Sequence, residues 1–413
     1  MRIVILSNEY PPHIYGGAGV HVDYLSRELV RQEKGKHYLQ ILCFGDQRTR
    51  SGNSVVQGIT PAATLPFQDA RHEKLFDALY RNLVMAGSVK EADLVHCHTW
   101  YTHFAGSLLK ELLDIPLILT VHSLEPRRPW KKEQLGNAYA VSTWLEKTTL
   151  SNADGIIAVS KSMMEDAQKL YGISPEKIRV IHNGIDVDHY KPTFNKEIIS
   201  SYGINPDKPF VLFVGRITRQ KGIIHLVNGL PYVNRGIQVV LCAGGADTED
   251  IGLEMQQRVE EVRAATDQKI IWISKFLPKD HIVVLYSHAS LFVCPSIYEP
   301  FGIINLEAMA CNTPVVASAV GGIREVVVPH QTGLLVDFDS GDNFEPKNAE
   351  QFSRDLAAAI NQLITSPEKL KAMGMESRKR VEQHFSWRSI ARQTLEYYRE
   401  VTEAYHRNKK RGV

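Results

Sequence analysis

The chain lacks any long hydrophobic run. Its apolar stretches stop well short of the length needed to cross a bilayer. The opening "MRIVILSNEYPP" has four consecutive apolar residues, too few for a secretory signal, so a cytoplasmic protein is expected. Cysteine is scarce: the five in 413 residues are Cys43, Cys97, Cys242, Cys294 and Cys311, scattered singly without C-x-x-C spacing. That argues against a disulfide scaffold and leaves reduced, buried thiols as the expectation. Neither charge is in excess. The 48 Lys and Arg nearly cancel the 46 Asp and Glu, which gives no support to nucleic acid or a membrane surface as a partner. The basic end "HRNKKRGV" reads as a solvated terminus.

What the chain does have is alternation. Short β-branched runs ("RIVILS", "YLQILCF", "DLVHCHT", "PLILTVHS", "GIIAVS", "IRVIHN") alternate with amphipathic segments such as "VHVDYLSRELVRQ". The pattern starts again with "FVLFVGR", "IQVVLCAGG", "IIWISKF", "LFVCPS", "PVVAS" and "GLLVD". Continuous apolar strands spaced by helices predict parallel sheets covered on both faces, an α/β doubly wound architecture built twice. The length also favours two domains. The Pro-, Asn- and Asp-rich stretch Asp186–Phe210 marks the boundary, giving domains of 1–190 and 191–386. The final segment, 387–413, reads as a long helix that offers Trp387, Ile390, Leu395 and Tyr398 for burial and returns to the first domain.

In such sheets ligands bind beyond the carboxyl ends of strands. "YPPHIYGGAGVHV" follows the first strand, and Gly16, Gly17 and Gly19 permit close backbone approach at a helix amino end. A tight turn packed under a helix accounts for them equally well. In "VGRITRQKGI" Arg216 and Lys221 stand at a strand end and at the mouth of the next helix, suited to clamp a diphosphate; surface charges in a loop are the plainer alternative. His96 and His98 share one strand face and His122 ends the next strand. No Cys or carboxylate cluster accompanies them, so no metal site is expected. His122, followed by Ser123, is placed to hydrogen-bond a polar ligand.

The stretch "PSIYEPFGIINLEAMA" is the most informative. Glu299 lies in the loop after a strand, Phe301, Gly302 and Ile303 open a helix whose free N–H groups can hold anionic oxygens, and Glu307 sits about one turn in. One carboxylate for a hexose, one for a ribose diol and amides for the phosphates between them fit a nucleotide-sugar. A buried, ion-paired Glu307 remains the alternative.

"EPFGIINLE" resembles the E-x₇-E motif of retaining GT-B glycosyltransferases. "VGRITRQKG" resembles their phosphate-binding turn, "IHNGID" their interdomain segment, and "GGIREVV" with "TGLLV" their C-terminal half. "EYPPHIYGGAGVHV", "HCHTWY" and "HSLEPRRPWKKEQLG" resemble the short glycogen synthase group, which includes maltose-1-phosphate synthases. The similarity spans nearly the whole chain in order. It implies two facing Rossmann-like domains with the active site between them, a returning C-terminal helix, and no metal or other cofactor. It implies a nucleotide-sugar donor, with ADP-glucose expected, and an α-glucan or glucose 1-phosphate acceptor joined by an α-1,4 bond.

By motif, Arg216 and Lys221 would neutralise the departing nucleoside diphosphate. Glu299 and His122 would contact the donor sugar, and Glu307 the ribose. Phe301, Gly302 and Ile303 would supply amides, Gly16 and Gly17 would close over the diphosphate, and Asn183 would lie near the cleft floor.

Two positions depart from the long bacterial glycogen synthases, which carry Lys where this chain has Ile14 and Asp where it has Thr99. Acceptor choice therefore cannot be copied from them. The basic loop "EPRRPWKKEQ" offers Arg127, Arg128, Lys131 and Lys132 to a phosphorylated acceptor, or is a solvated charge run. The segment "SKFLPKD" is a candidate rim for the base. Three other readings compete. A retaining GT-B enzyme acting on a lipid or small molecule with a UDP- or GDP-sugar lacks its basic amphipathic helix here. A non-catalytic binding protein would lack part of the Arg/Lys/Glu set, and a dehydrogenase would need a G-x-G-x-x-G fingerprint after the first strand of either half.

Overall fold

The computed structural model describes residues 1–61, 69–341 and 344–411. The chain forms two compact units, Met1–Gly184 with Trp387–Val413, and Ile185–Ser386.

The first unit is built on eight strands: β1 (Arg2–Ser7), β2 (Tyr38–Phe44), β3 (Arg48–Ser51), β4 (Ser54–Ile59), β5 (Leu94–His98), β6 (Leu117–Val121), β7 (Gly155–Ala158) and β8 (Ile178–Val180). They lie in the order β3-β4-β2-β1-β5-β6-β7-β8, all parallel except β3 against β4. Every residue of β5, β6 and β7 is buried, as two helix-covered faces require. The β3–β4 hairpin is absent from the strand pattern read above. Its edge strand, "RTRS", is exposed at every position, so it has no apolar signature and instead presents charge at a sheet edge.

The helix Trp387–Lys410 covers this sheet. Ile390, Leu395, Tyr398 and Val401 join a core that includes Ile3, Ile5, Leu25, Leu29 and Leu39. Its tyrosines also complete the polar interior. Tyr398 Oη is 2.6 Å from His96 Nδ1, and Tyr397 Oη donates to the Lys177 carbonyl at 2.7 Å while accepting from the Ile156 amide at 3.1 Å.

The units meet in sequence at Gly184/Ile185 rather than at 190/191. Segment 185–190 is held by the second unit: the Ile185 amide donates to the Phe385 carbonyl at 2.8 Å, and the Arg378 guanidinium donates to the carbonyls of Val187 and Tyr190.

The second unit has six strands, β9 (Phe210–Arg216), β10 (Gln238–Gly244), β11 (Lys269–Ile273), β12 (Leu291–Cys294), β13 (Val315–Ser318) and β14 (Gly333–Val336), all parallel in the order β11-β10-β9-β12-β13-β14. Strand order reverses between β9 and β12, and in the first unit between β1 and β5. These are the crevices where open parallel sheets bind ligands. Among the described residues no helix is long and apolar enough to cross a membrane.

Ile390 is 1% exposed within the core shared by helix and sheet. Ile390→Ala is therefore expected to destabilise the first unit by about 2–5 kcal/mol, read as a lowered urea midpoint for that unit.

Candidate functional site

In the second unit two loops meet at the β9/β12 switch point. The loop after β9 follows Arg216, the last residue of the strand, is capped by Thr218, whose hydroxyl accepts from the Lys221 amide at 3.1 Å, and ends at Gly222. The loop after β12 runs from Pro295 to Gly302. They are tied together through the backbone, the Ile297 amide donating to the Gln220 carbonyl at 3.0 Å. Gly222 has φ 58°, and a Cβ there would stand 2.0 Å from the Pro295 carbonyl oxygen, so only glycine permits this approach. Gly321 does the same from beneath: φ is 47° and a Cβ would lie 2.1 Å from the Glu299 carbonyl oxygen, which also accepts the Gly322 amide at 3.0 Å.

The stitching brings Lys221 and Glu299 together. Nζ lies 2.7 Å from Oε2, with the side chains 21% and 10% exposed, so the charges are largely out of water. Burial acts to lower the Lys221 pKa, but the Glu299 charge, with Cys294 and the hydrogen bond, outweighs it and leaves the ammonium more firmly protonated than usual. Arg216 is more open, at 59% exposure, and pairs with Asp247 at 2.7 Å. With its cationic side open to solvent and Asp247 only 14% exposed, the pair is weaker than a fully buried one and can yield to a stronger anion.

The helix opens at Ile303 (Ile303–Ala310), with Gly302 as its N-cap at φ 97°. Phe301 thus precedes the helix rather than beginning it, and its ring is buried against Phe385. The opening amides of a helix have no acceptor within it and carry partial positive charge. Glu307 is paired with hydroxyls, not with a cation: Tyr190 Oη donates to Oε1 and Tyr286 Oη to Oε2, each at 3.0 Å. Burial raises its pKa, and the two tyrosine hydrogen bonds work against that rise. Phe276, in the segment expected to form the base rim, is 98% exposed.

The first unit gathers neutral polar groups at its strand ends. His98 Nδ1 is 2.9 Å from His122 Nε2, and His21 packs edge-on to His122 with ring centroids 4.8 Å apart. Asn183, 5% exposed, is bound at 2.6 Å to His21 Nδ1 and so orients that ring. Burial, reinforced for His98 and His122 by their histidine neighbours, drives these imidazoles down: His21 to about 4, and His98 and His122 well below the usual value. They are neutral at pH 7 and offer hydrogen bonds rather than charge. His21, His98 and His122 have ligand atoms within 4.8 Å of one another, the one such group able to hold a metal ion among the described residues. The expectation of no metal site weighed His96, His98 and His122 but not His21, which helix Gly17–Arg31 delivers from a distant segment.

Thr99, at the end of β5, has φ 67°, rare for a β-branched residue, and its hydroxyl donates to Asn8 Oδ1 at 2.7 Å across the β1/β5 switch point. Gly16 and Gly17 stand at the start of helix Gly17–Arg31, but the Gly16 amide is already engaged. Glu9 Oε2 accepts from both Tyr15 and Gly16 at 2.9 Å. Gly16 has φ −154°, an extended conformation open to any residue, so its backbone does not require glycine. Glu9, Asp247, Tyr190, Tyr286 and His21 were not among the expected site residues; all but Glu9, which meets Gly16 seven residues on, are joined to the site through contacts distant in sequence.

The basic loop is not a uniform charge run. Lys131 is buried, its Nζ 3.2 Å from Glu125 Oε1. Arg127 pairs with Asp166. Both are engaged by the unit's own acids, whereas the sequence offered all four cations either to an acceptor or to solvent. Lys132 is exposed, and Arg128 is half-buried beside Ser123, with Nη1 3.4 Å from Oγ. Behind the loop, Glu146 Oε2 accepts from the Glu125 amide at 2.8 Å and from Tyr171 Oη at 2.5 Å, while Ser142 Oγ donates to Glu125 Oε2 at 3.0 Å.

The sequence matches the family model described as Glycosyltransferase Family 4 over residues 15–189, and the one described as Glycosyl transferases group 1 over residues 194–380. It is 42% identical over 406 residues to the alpha-maltose-1-phosphate synthase of Mycolicibacterium smegmatis, covering 97% of this chain and 100% of that protein. It is 29% identical over 421 residues to a glycogen synthase of Mycobacterium tuberculosis, covering 96% and 94%. Among solved structures, sucrose-phosphate synthase from Thermosynechococcus elongatus superposes with a TM-score of 0.77 at 25% identity, covering 98% of this chain and 100% of that one. Similarity over essentially the whole of each chain means that both units, not one alone, share this ancestry.

The Glu146 carboxyl is pushed up to about 8, first by burial and then by the Glu125 charge, against hydrogen bonds from Tyr171 and the Glu125 amide. The folded protein therefore keeps a proton that the unfolded chain, with an ordinary carboxyl near 4.5, has released. Between those values stability falls as pH rises, by about 1 kcal/mol per pH unit at most. Urea midpoints measured from pH 5 to 8.5 should show this slope in the wild type and a flatter one in Glu146→Gln.

Proposed function

Because this chain belongs to the GT-B glycosyltransferases of the glycogen synthase group and is a hexosyltransferase, we propose that it moves glucose from ADP-glucose to glucose 1-phosphate. The transfer retains the anomeric configuration and makes an α-1,4 bond. The observation that carries the reading is the gathering of Lys221, Glu299 and Arg216 with a helix amino end at the β9/β12 switch point. A departing nucleoside diphosphate needs positive charge at that rim, and a hexose beside it needs a carboxylate.

In this mechanism the bond from C1 of glucose to the diphosphate oxygen breaks and C1 takes on oxocarbenium character. The acceptor hydroxyl attacks from the face the diphosphate is leaving. Its proton passes to the departing phosphate oxygen, so no separate base is needed. Arg216 exchanges Asp247 for the diphosphate, Lys221 and the helix amides meet the developing negative charge, and Glu299 holds the sugar. Glu307, kept in a hydroxyl-lined pocket by Tyr190 and Tyr286, accepts from the ribose diol. Neutral His122 hydrogen-bonds the hexose. Arg216 and Lys221 supply the charge that a metal ion supplies in other transferases, and we assign no resident cofactor.

The acceptor is drawn from the name of the relative at 42% identity, since a maltose 1-phosphate synthesised by glycosyl transfer is a glucosylated glucose 1-phosphate. The relative at 29% identity supports a second reading, with an α-glucan end as acceptor. We place the activity in the cytosol, consistent with five buried, free cysteines.

Offering ADP-glucose and UDP-glucose, each with glucose 1-phosphate and with glycogen, separates these readings. An α-linked disaccharide phosphate made fastest from ADP-glucose is expected, and turnover should persist in EDTA. A β-linked product, or reversible loss of activity with chelator, would overturn the mechanism. Lys221→Ala and Arg216→Ala should each lower kcat by ~10²–10³ while the protein stays folded, with melting unchanged in Arg216→Ala and lowered in Lys221→Ala, which leaves Glu299 unpaired. Near-normal turnover in a folded variant would remove that residue from the leaving-group site.

A further inference from the structure

The four cations of the loop after β6 have different surroundings. Lys131 is matched by Glu125 and Arg127 by Asp166, while Lys132 lies in solvent. Arg128 differs from all three. It is half-buried, and among the described residues no carboxylate pairs with it. Its Nε is buried without a hydrogen-bond partner, and its nearest polar contact is the long one to Ser123 Oγ. Ser123 directly follows His122 at the carboxyl end of β6, so the guanidinium contacts the residue next in sequence to the neutral histidine cluster.

That position is fixed from behind. The Arg128 amide donates to the Glu125 carbonyl at 2.9 Å, and its own carbonyl accepts from the Lys131 amide at 2.9 Å. Glu125 is in turn anchored by Glu146, Ser142 and Lys131, and Tyr139 Oη donates to its carbonyl at 2.6 Å. The acids and Lys131 thus form a buried frame, and the frame presents one uncompensated, half-buried cation. A buried guanidinium N–H without an acceptor is costly, and such a group is normally satisfied by a protein group, a water, an ion or a ligand. The guanidinium fork matches the oxygens of a phosphate, and the Ser123 hydroxyl adds a third donor.

We propose that Arg128, with Ser123, forms the subsite for the acceptor's phosphate, and that Arg128 decides between a phosphorylated monosaccharide and a neutral glucan end. This rests on the glucose 1-phosphate reading above. A neutral acceptor leaves the Arg128 donors unmatched, and an unpaired buried polar group is an effective means of rejection. Lys131 and Arg127, by contrast, position the loop and do not touch the acceptor.

The test compares glucose 1-phosphate with maltotriose as acceptors, using one donor and full-length wild type, Arg128→Ala, Arg128→Lys and Ser123→Ala. In Arg128→Ala the ratio of kcat/KM for glucose 1-phosphate to that for maltotriose should fall roughly 10–100-fold, mainly through a higher KM for the phosphate acceptor. Arg128→Lys should recover part of the loss, because charge returns without the fork. Titration calorimetry of glucose 1-phosphate should show the same order of affinities without turnover. A folded Arg128→Ala variant with an unaltered ratio, or with both acceptors impaired equally, overturns the Arg128 assignment and leaves the acceptor reading standing. A wild type that glucosylates maltotriose but neither binds nor uses glucose 1-phosphate overturns the acceptor reading, and the subsite with it.

Discussion

The ion pair between Lys221 and Glu299 is the contact around which the proposed donor site of the second unit is built, and it exists only because two loops are held in register. Lys221 ends a single 3-10 turn (Arg219–Lys221) and Glu299 lies in a loop, so neither is fixed by a long regular element. The amide-to-carbonyl bond from Ile297 to Gln220 and the glycine contacts at Gly222 and Gly321 leave the loops no room to slide. Two charges this far removed from water would be costly apart. Together they form a prearranged dipole at the point where strand order reverses, and a preorganised dipole needs no reorientation when charge develops on a leaving group.

The first unit uses the opposite strategy. Its strand ends carry imidazoles whose burial keeps them uncharged, joined to one another, to Asn183 and, through His96, to Tyr398 of the C-terminal helix. Such a network can orient sugar hydroxyls without attracting phosphate. The cations expected to face an acceptor in this unit all lie in one loop, where acids neutralise two of them and leave Arg128 unmatched. The difference between Arg127 and Arg128, neighbours in sequence and identical in chemistry, is a difference in what stands opposite each.

Structural roles and site roles are accordingly interleaved. Glu307 is held by two tyrosine hydroxyls, one from the segment that joins the units in sequence and one from a helix. Glu9 occupies the amide seat at the mouth of the first helix that the glycine pattern had assigned to a ligand. The strained Thr99 is tied to Asn8 from the other side of the switch point. Each contact restricts a strand-end loop to one geometry.

Much of this was legible in the chain. The doubly wound architecture, twelve of the fourteen strands, the rim formed by Arg216, Lys221 and Glu299, and the helix after Glu299 follow from local signals. Apolar periodicity and glycine placement act over a few residues and can be read there. The β3–β4 hairpin was hidden because an exposed, charged edge strand has no periodicity. The fates of Lys131, Arg127 and the Gly16 amide were hidden for another reason. A side chain is committed or available according to its partner, and Lys221 meets Glu299 across 78 residues of chain, His21 meets Asn183 across 162 and Arg127 meets Asp166 across 39. The sequence by itself determined which groups lie at the strand ends. Only the tertiary structure decided which of them already have a counter-charge, because pairing depends on distances of a few ångströms that chain order does not specify.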